Sequence, residues 1–427
     1  MTRSSSLLRW GKMGIAGVGD HGLFSGANFV VAVALGRWLP PDEYGAFAVA
    51  FSIHLLLFAA HNAFVLEPSG VIGPGTYGRR TKDYATLMAG ATLILGLLFA
   101  LVLVGVALGF RGNHATLRNA FLALAGSEPG ILLLWTARRL CYNEARPHFA
   151  CAASAFYAAV LLAGLPALRA MNTLTPAAAF WLMGAASITA GLALQSLLSS
   201  RLANAPSAAP IRLRPLLAQH TGYGKWFLAA HGISWLSTAA YLPLLGWLGG
   251  LAETASLRAI ENLYLPVQQV LTVFSILAVP QIVRRAAGGD AVCIRTTTLR
   301  LAGLALLISL VYCGAVLAGG SKLLLMVYNN SFYAASALLL PLLATEVIVR
   351  SIADSGLGTA LRVLKRPDIL FRATLLSAVF TVSAGVYLTH RWGVPGAATA
   401  RALTAMLYLA TMLPPVLHLL KSSELKP

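Results

Sequence analysis

The chain has 427 residues, 58% of them hydrophobic and only 11% charged, with a mean hydropathy of +0.74 and a formal net charge of +18. A soluble domain carries about 25% charged residues, so too few polar side chains remain to cover a water-facing surface of this length. A basic balance suits nucleic acid only where it forms a contiguous face; here Lys and Arg sit in short clusters between apolar runs, which excludes nucleic acid as a partner and marks them as loop charges.

Arg3, Arg9 and Lys12 precede an apolar run in the manner of a signal peptide. That run, 14–35, is longer than a signal h-region and lacks a clear cleavage site, so it reads as a retained first helix. Apolar stretches then recur at 45–65, 85–109, 120–136, 149–168 and 177–198. Each matches the roughly 20 residues that span a bilayer core. The segment 199–226 contains Asn204-Ala205-Pro206-Ser207-Ala208-Ala209-Pro210 and reads as a linker. A second set follows at 227–247, 262–283, 301–318, 336–357, 373–389 and 397–418. The expectation is an all-α integral membrane protein of about twelve transmembrane helices in two six-helix lobes, 1–198 and 227–427, joined by a cytoplasmic linker.

Ionisable and polar groups inside spans are candidates for function, because burying them in hydrocarbon is costly. In the first span these are Asp20, a candidate for coupling to a cation or proton, and His21 beside it. A hydrogen bond to a neighbouring helix is the competing reading for Asp20. His54 and His61 lie seven apart on one face of the second span, with Asn62 adjacent; they read as a polar cavity wall or as interhelical glue. His231 and Trp235 form an i, i+4 pair on the seventh span, a sugar-stacking face or ordinary packing. Arg258 and Glu261 read as a local salt bridge. Glu346, Arg350 and Asp354 follow at i, i+4 and i+8 of the tenth span, which stacks them on one helical face. Here Arg350 is the candidate contact for an anionic group (a phosphate or acidic sugar under the resemblance described below), Glu346 its holder or a proton carrier, and a self-neutralised structural pair the alternative. Arg401 stands about one turn into the last span, in a cavity or reaching out to the interface.

No cofactor is called for. Gly17-Val18-Gly19-Asp20-His21-Gly22 matches a dinucleotide fingerprint, but that needs a preceding strand in a soluble βαβ unit. Cys141, Cys151, Cys293 and Cys313 form no Cys-x-x-Cys pair, and no His/Cys set has zinc spacing, so no metal is expected. There is no P-loop and hence no sign of ATP hydrolysis.

Orientation follows from the basic residues. With the N-terminus inside, clusters at Arg79/Arg80/Lys82, Arg138/Arg139/Arg146, Arg201/Arg212/Arg214/Lys225, Arg284/Arg285/Arg295/Arg300, Arg362/Lys365/Arg366/Arg372 and Lys421/Lys426 all fall on the cytoplasmic side. The other face collects only Arg37, Arg111, Arg118, Arg169, Arg258, Lys322 and Arg391. This asymmetry obeys the positive-inside rule and puts both termini in the cytoplasm. Trp10, Trp38, Trp135, Trp181, Trp226, Trp247 and Trp392 lie at span ends, where indoles prefer the headgroup level.

The two halves look weakly alike. Leu35-Gly36-Arg37-Trp38-Leu39-Pro40-Pro41-Asp42-Glu43-Tyr44-Gly45-Ala46 joins the first two spans, and Leu248-Gly249-Gly250-Leu251-Ala252-Glu253-Thr254-Ala255-Ser256-Leu257-Arg258-Ala259 joins the seventh and eighth. Six spans per half make the repeat parallel and suit alternating access by rocking lobes.

Three segments carry a family resemblance. Leu39-Pro40-Pro41-Asp42-Glu43-Tyr44-Gly45 resembles the turn after the first helix of Wzx-type polysaccharide flippases. Met326-Val327-Tyr328-Asn329-Asn330-Ser331-Phe332-Tyr333-Ala334-Ala335 and Trp392-Gly393-Val394-Pro395-Gly396-Ala397-Ala398-Thr399-Ala400 resemble the stretches before their tenth and last helices, although Asn329-Asn330 replaces a usual glycine. These flippases share a superfamily with drug/cation antiporters of the MATE kind and with lipid II flippases. The resemblance implies a MATE-like fold in a bacterial inner membrane, contact with membrane lipids, and translocation of an undecaprenyl-diphosphate-linked glycan for O-antigen, capsule or exopolysaccharide synthesis. Polysaccharide polymerase or export machinery would then be its partners, and a proton or sodium gradient its energy source. Two other readings stay open: an ion-coupled drug antiporter of the same fold, and a membrane glycan polymerase or ligase, for which the short periplasmic loops leave little room.

Overall fold

In the computed structural model the described residues are 3–77, 80–110, 114–201, 211–286, 291–364 and 366–421, with side chains excluded at 3–12, 201, 273–286, 291–294 and 420–421. The central linker residues Asn204–Pro210 and the loop charges Arg79, Arg111, Lys365 and Lys426 lie outside them. So do the side chains of Arg3, Arg9, Trp10, Lys12, Arg201, Arg284, Arg285, Cys293 and Lys421. Among the described residues the regular structure is entirely helical, and the chain divides into two compact units, Met1–Gly232 and Ile233–Pro427.

The first unit holds α1 (Arg3–Trp38), α2 (Pro41–His61), α3 (Glu67–Tyr77), α4 (Thr81–Gly109), α5 (Ala115–Asn143), α6 (Pro147–Ala170), α7 (Pro176–Arg201) and most of α8 (Leu213–Thr238). A π-helical turn, Asn62–Leu66, joins α2 to α3. Helix starts follow local chemistry. Pro41, Pro147 and Pro176 open their helices, where a missing N–H costs nothing. Asp42 and Glu43 complement the amino-terminal dipole of α2, and Thr175 Oγ1 accepts a hydrogen bond from Ala178 N at 3.1 Å to cap α7.

Small residues let α5 and α7 approach closely. A Cβ on Gly184 would stand 2.6 Å from Ser127, and one on Gly130 3.0 Å from Ile188 Cβ. Ser127 Oγ donates to the Phe180 carbonyl across this seam at 2.8 Å. The residues expected to form the end of the linker are helical from Leu213 and pack on the first unit: Leu216 joins a cluster with Val65, Leu66, Tyr77, Tyr84 and Met88.

The second unit holds the end of α8, then α9 (Tyr241–Leu248), α10 (Leu251–Ala286), α11 (Ala291–Tyr328), α12 (Ser331–Ala335), α13 (Leu340–Arg350), α14 (Gly358–Val363), α15 (Pro367–Phe380) and α16 (Val386–Lys421). π-helical turns at Ser351–Leu357 and Thr381–Gly385 join α13 to α14 and α15 to α16. Kinks at Gly320 (φ 48°, ψ −132°) and Gly393 (φ 58°, ψ −132°) break α11 and α16 in backbone space open to glycine alone. Ala353, Leu357, Leu361, Ile369, Ala373, Tyr408, Met412 and Val416 form one core of this unit.

Nine stretches among the described residues are long and apolar enough to cross a membrane. One of them, Pro367–Leu419, holds two predicted spans separated by the Gly393 kink. The predicted seventh and eighth spans correspond to α8–α9 and α10, which complete a twelve-helix architecture. α8 falls outside the nine because it is more polar, carrying Gln219, His220, Lys225 and His231, and α10 because its residues 273–286 lie outside those described in full.

Candidate functional site

Each unit encloses its own polar cluster. In the first, Asp20 of α1 meets α5 and α6. Arg138 donates to both Asp20 oxygens, through Nε and Nη2 at 3.0 Å each. Tyr142 Oη donates to Oδ2 at 2.7 Å and Ser154 Oγ to Oδ1 at 2.5 Å. The guanidinium lies between aromatic faces, its Cζ 4.2 Å from the Phe24 centroid and 4.6 Å from that of Trp135.

This corrects two expectations. Arg138 is not a loop charge beside Arg139 and Arg146 but a buried residue, 4% exposed. Trp135 is not an interfacial anchor; its ring packs at 4.9 Å on Phe24 and 4.6 Å on Phe58. Both belong to a helix that runs to Asn143, beyond the span end at 136 expected from hydropathy, and the extra turns stay inside the unit.

Higher on α5, Glu128 is fully buried, and its Oε2 lies 2.8 Å from His54 Nδ1 on α2. The other oxygen, Oε1, has no hydrogen-bond partner among the described residues. Two turns along α2, His61 Nε2 meets Thr92 Oγ1 of α4 at 3.2 Å and Thr136 Oγ1 of α5 at 3.1 Å, and the two threonines meet at 2.7 Å. Asn62, half-buried, begins the π turn. Such a turn disrupts the regular backbone bonding of a helix. Here His220 Nδ1 donates to the Phe64 carbonyl at 2.9 Å, and Arg139 Nε to that of Leu66 at 3.2 Å.

In the second unit, Glu346 of α13, Glu261 of α10 and Arg401 of α16 meet. Arg401 donates to Glu346 through Nε at 2.8 Å and Nη2 at 3.2 Å, and its Nη1 contacts Glu261. Arg258 Nη1 donates to Glu261 Oε2 at 3.2 Å, so the expected local bridge is present but is one link of a longer chain. Arg350 continues that chain, donating through Nε to Glu346 Oε1 at 3.3 Å. Its side chain is 21% exposed, against 5% for Glu346 and 10% for Arg401. Arg350 Cζ stands 5.6 Å from the Tyr408 centroid, and Tyr408 Oη donates to Asp354 Oδ1 at 3.2 Å. Asp354 itself is exposed.

Glu346, Arg350 and Asp354 thus all face α16, through Arg401 and Tyr408. His231 Nδ1 donates to the Phe227 carbonyl one turn back at 2.9 Å, and its ring stacks on Phe227.

The residues missed in the sequence are Glu128 and the inward role of Arg138. Glu128 did carry a signal, as a glutamate in the middle of the fourth predicted span. Among the described residues no three His, Cys, Asp or Glu side chains come together in a metal-binding group.

No family model matches the chain, and no curated protein matches it. Solved structures do. An inward-facing multidrug resistance transporter of the MATE family, in the MOP superfamily, aligns with a TM-score of 0.75 over 93% of this chain and 94% of its own, at 13% identity. Lipid II flippase MurJ, in an inward closed conformation, aligns at 0.70 over 95% and 87%, also at 13% identity. A MOP superfamily transporter from Pyrococcus furiosus, described as having a binding pocket of reversed polarity, aligns at 0.67 over 96% and 97%, at 13% identity. At such identities the likeness concerns architecture: the chain is an all-helical, multi-pass membrane protein with the fold shared by MATE transporters and the lipid II flippase.

Proposed function

We propose that the protein is a flippase that carries an undecaprenyl-diphosphate-linked oligosaccharide from the cytoplasmic to the periplasmic leaflet of a bacterial inner membrane, by alternating access of its two halves. The observation that carries this reading is Arg350. It is the most exposed arginine of the intramembrane chain, and its bond to Glu346 runs through Nε. The terminal Nη groups are therefore placed to grip a phosphate in the bidentate manner that guanidinium favours.

A carrier of organic cations would instead want an acidic residue clear of cations. Asp20, Glu261 and Glu346 are each gripped by arginine and Glu128 by a histidine, which leaves Asp354, hydrogen-bonded by Tyr408, as the acid that such a carrier would use. A sugar headgroup cannot cross hydrocarbon unaided, since each unsatisfied polar group costs several kcal/mol there. The surplus of basic loop residues suits the anionic cytoplasmic leaflet where such a lipid is made.

The test is a deletion strain assayed for lipid-linked repeat units on the cytoplasmic side, with surface glycan scored in parallel. Accumulation and loss of surface polymer, rescued by wild type but not by Arg350→Ala or Arg350→Lys at equal protein level, is the expected result. Normal lipid and glycan pools in a strain without a second flippase, together with new sensitivity to cationic drugs, would reverse the reading in favour of a drug antiporter. Restoration by both Arg350 variants would remove Arg350 from the site.

A further inference from the structure

We infer that the buried Glu128–His54 pair is the proton-binding site of the first unit, and that Asp20, the first-span acid, is a fixed structural anchor instead. The inference deepens the transport reading, since it supplies the group through which a proton gradient would act.

The two acids differ in what surrounds them. Asp20 accepts four hydrogen bonds, two of them from an arginine, so both its oxygens are occupied. Arginine does not release its proton in a protein. The Asp20–Arg138 pair is therefore neutral as it stands and has no proton to exchange.

Glu128 is held differently. Its partner is an imidazole, which does exchange protons. A single proton shared between Oε2 and Nδ1 leaves the pair neutral wherever it sits; removing it leaves one buried negative charge. Among the described residues Oε1 is an acceptor with no donor, and an incoming proton has a lone pair to bind there. Uptake forms one O–H bond and breaks none, and release reverses it.

Position and surroundings isolate this exchange. Glu128 is the fourteenth residue of the 29 in α5, about 20 Å from either end at 1.5 Å per residue. The helices packed on α5 bring few other ionisable groups. α4 beyond Tyr84 and α7 from Pro176 to Ser200 have none. α2 adds Asp42, Glu43, Tyr44 and His61, and α3 adds Glu67 and Tyr77. α6 adds His148, Cys151, Tyr157 and Arg169; α1 from Met13 onward adds Asp20, His21 and Arg37; α5 itself adds Arg118, Arg138, Arg139, Cys141 and Tyr142. Among these, Asp20 and Arg138 neutralise each other, Glu67 lies opposite Arg139 at 3.9 Å, and His61 is tied to Thr92 and Thr136. His61, seven residues from His54 with Phe58 between their rings, is the one imidazole further along the same helix face.

Infrared difference spectroscopy on the full-length protein in nanodiscs, stepped in pH without any substrate, reads this site directly. The expected result is a protonated-carboxyl band that appears and disappears with pH. It is lost in Glu128→Gln, has its midpoint moved in His54→Gln, and is retained in Glu346→Gln and Asp20→Asn. A wild-type protein with no titrating carboxyl band overturns the inference, as does a band that survives Glu128→Gln. Should Glu128→Gln fail to fold, His54→Gln decides: an unmoved midpoint overturns the assignment.

Because the measurement contains no substrate, its outcome is separate from that of the flippase reading. A titrating Glu128 in a strain with normal glycan pools would reject only the substrate. A silent Glu128 beside accumulated lipid-linked repeats would reject only the proton site.

Discussion

Arg138 and Asp20 stand 118 residues apart in sequence, yet two hydrogen bonds of 3.0 Å join them inside the first unit. Tyr142 and Ser154 complete the carboxylate's partners, and two aromatic rings flank the guanidinium. The result is a three-helix clasp of α1, α5 and α6, built around a pair of charges that balance each other.

Breaking that clasp on one side strands a charge. Arg138→Met or Asp20→Leu alone should destabilise the protein by about 3–5 kcal/mol, the usual cost of leaving one buried partner uncompensated. The double variant, with both charges gone, should recover most of that loss. Thermal unfolding of the purified protein in detergent checks it; a double variant no better than the worse single would show that the polar contacts of Tyr142 and Ser154 matter more than charge balance.

Arg401 and Arg350 both bind Glu346 but should respond oppositely. Arg401→Ala leaves Glu346 and Glu261 without their shared cation and should lower folded yield sharply, by about 3–5 kcal/mol. Arg350, more exposed and tied by one bond of 3.3 Å, should cost about 1 kcal/mol or less on replacement by alanine while abolishing rescue of glycan export. Melting temperature and complementation measured on the same two variants separate the roles.

Gly320 and Gly393 have nearly the same backbone angles in different settings. A methyl group at Gly320 meets nothing within 4 Å, whereas at Gly393 it would stand 2.8 Å from Glu253 Oε2. Each substitution by alanine carries the strain of that conformation, about 1–3 kcal/mol. Gly393→Ala should be the worse of the two, since Glu253 must also move. Equal melting temperatures would mean that the carboxylate yields freely.

The seam between α5 and α7 should not tolerate bulk. Gly184→Val places a side chain against Ser127 and pushes apart the helices that the Ser127–Phe180 hydrogen bond joins. Overpacking of this kind costs about 1–3 kcal/mol. Thr189→Val, at an exposed position one turn and a half further along α7, is the control and should leave the melting temperature unchanged.

The helix count, the short connections and the position of most spans were legible in the sequence, because hydropathy is a local sum over about 20 residues and needs no knowledge of neighbours. The polar residues worth inspecting were legible for the same reason: Asp20, His54, His61, Glu346, Arg350 and Arg401 stand out where hydrocarbon is expected. Glu128, at the middle of the fourth predicted span, stands out equally.

What the tertiary structure alone decided is who meets whom. Whether an arginine at a hydropathic boundary faces water, as Arg138 was expected to do, or turns inward to Asp20 depends on how α5 rotates against α1 and α6. That rotation is set by packing of side chains far apart in the chain, not by the character of the residue. The same holds for Arg401, whose pairing with Glu346 and Glu261 requires α10, α13 and α16 to converge. A charge in a membrane helix announces that it needs a partner; only the packed helices determine which one it finds, and so whether it is held fast or left able to exchange a proton or bind a phosphate.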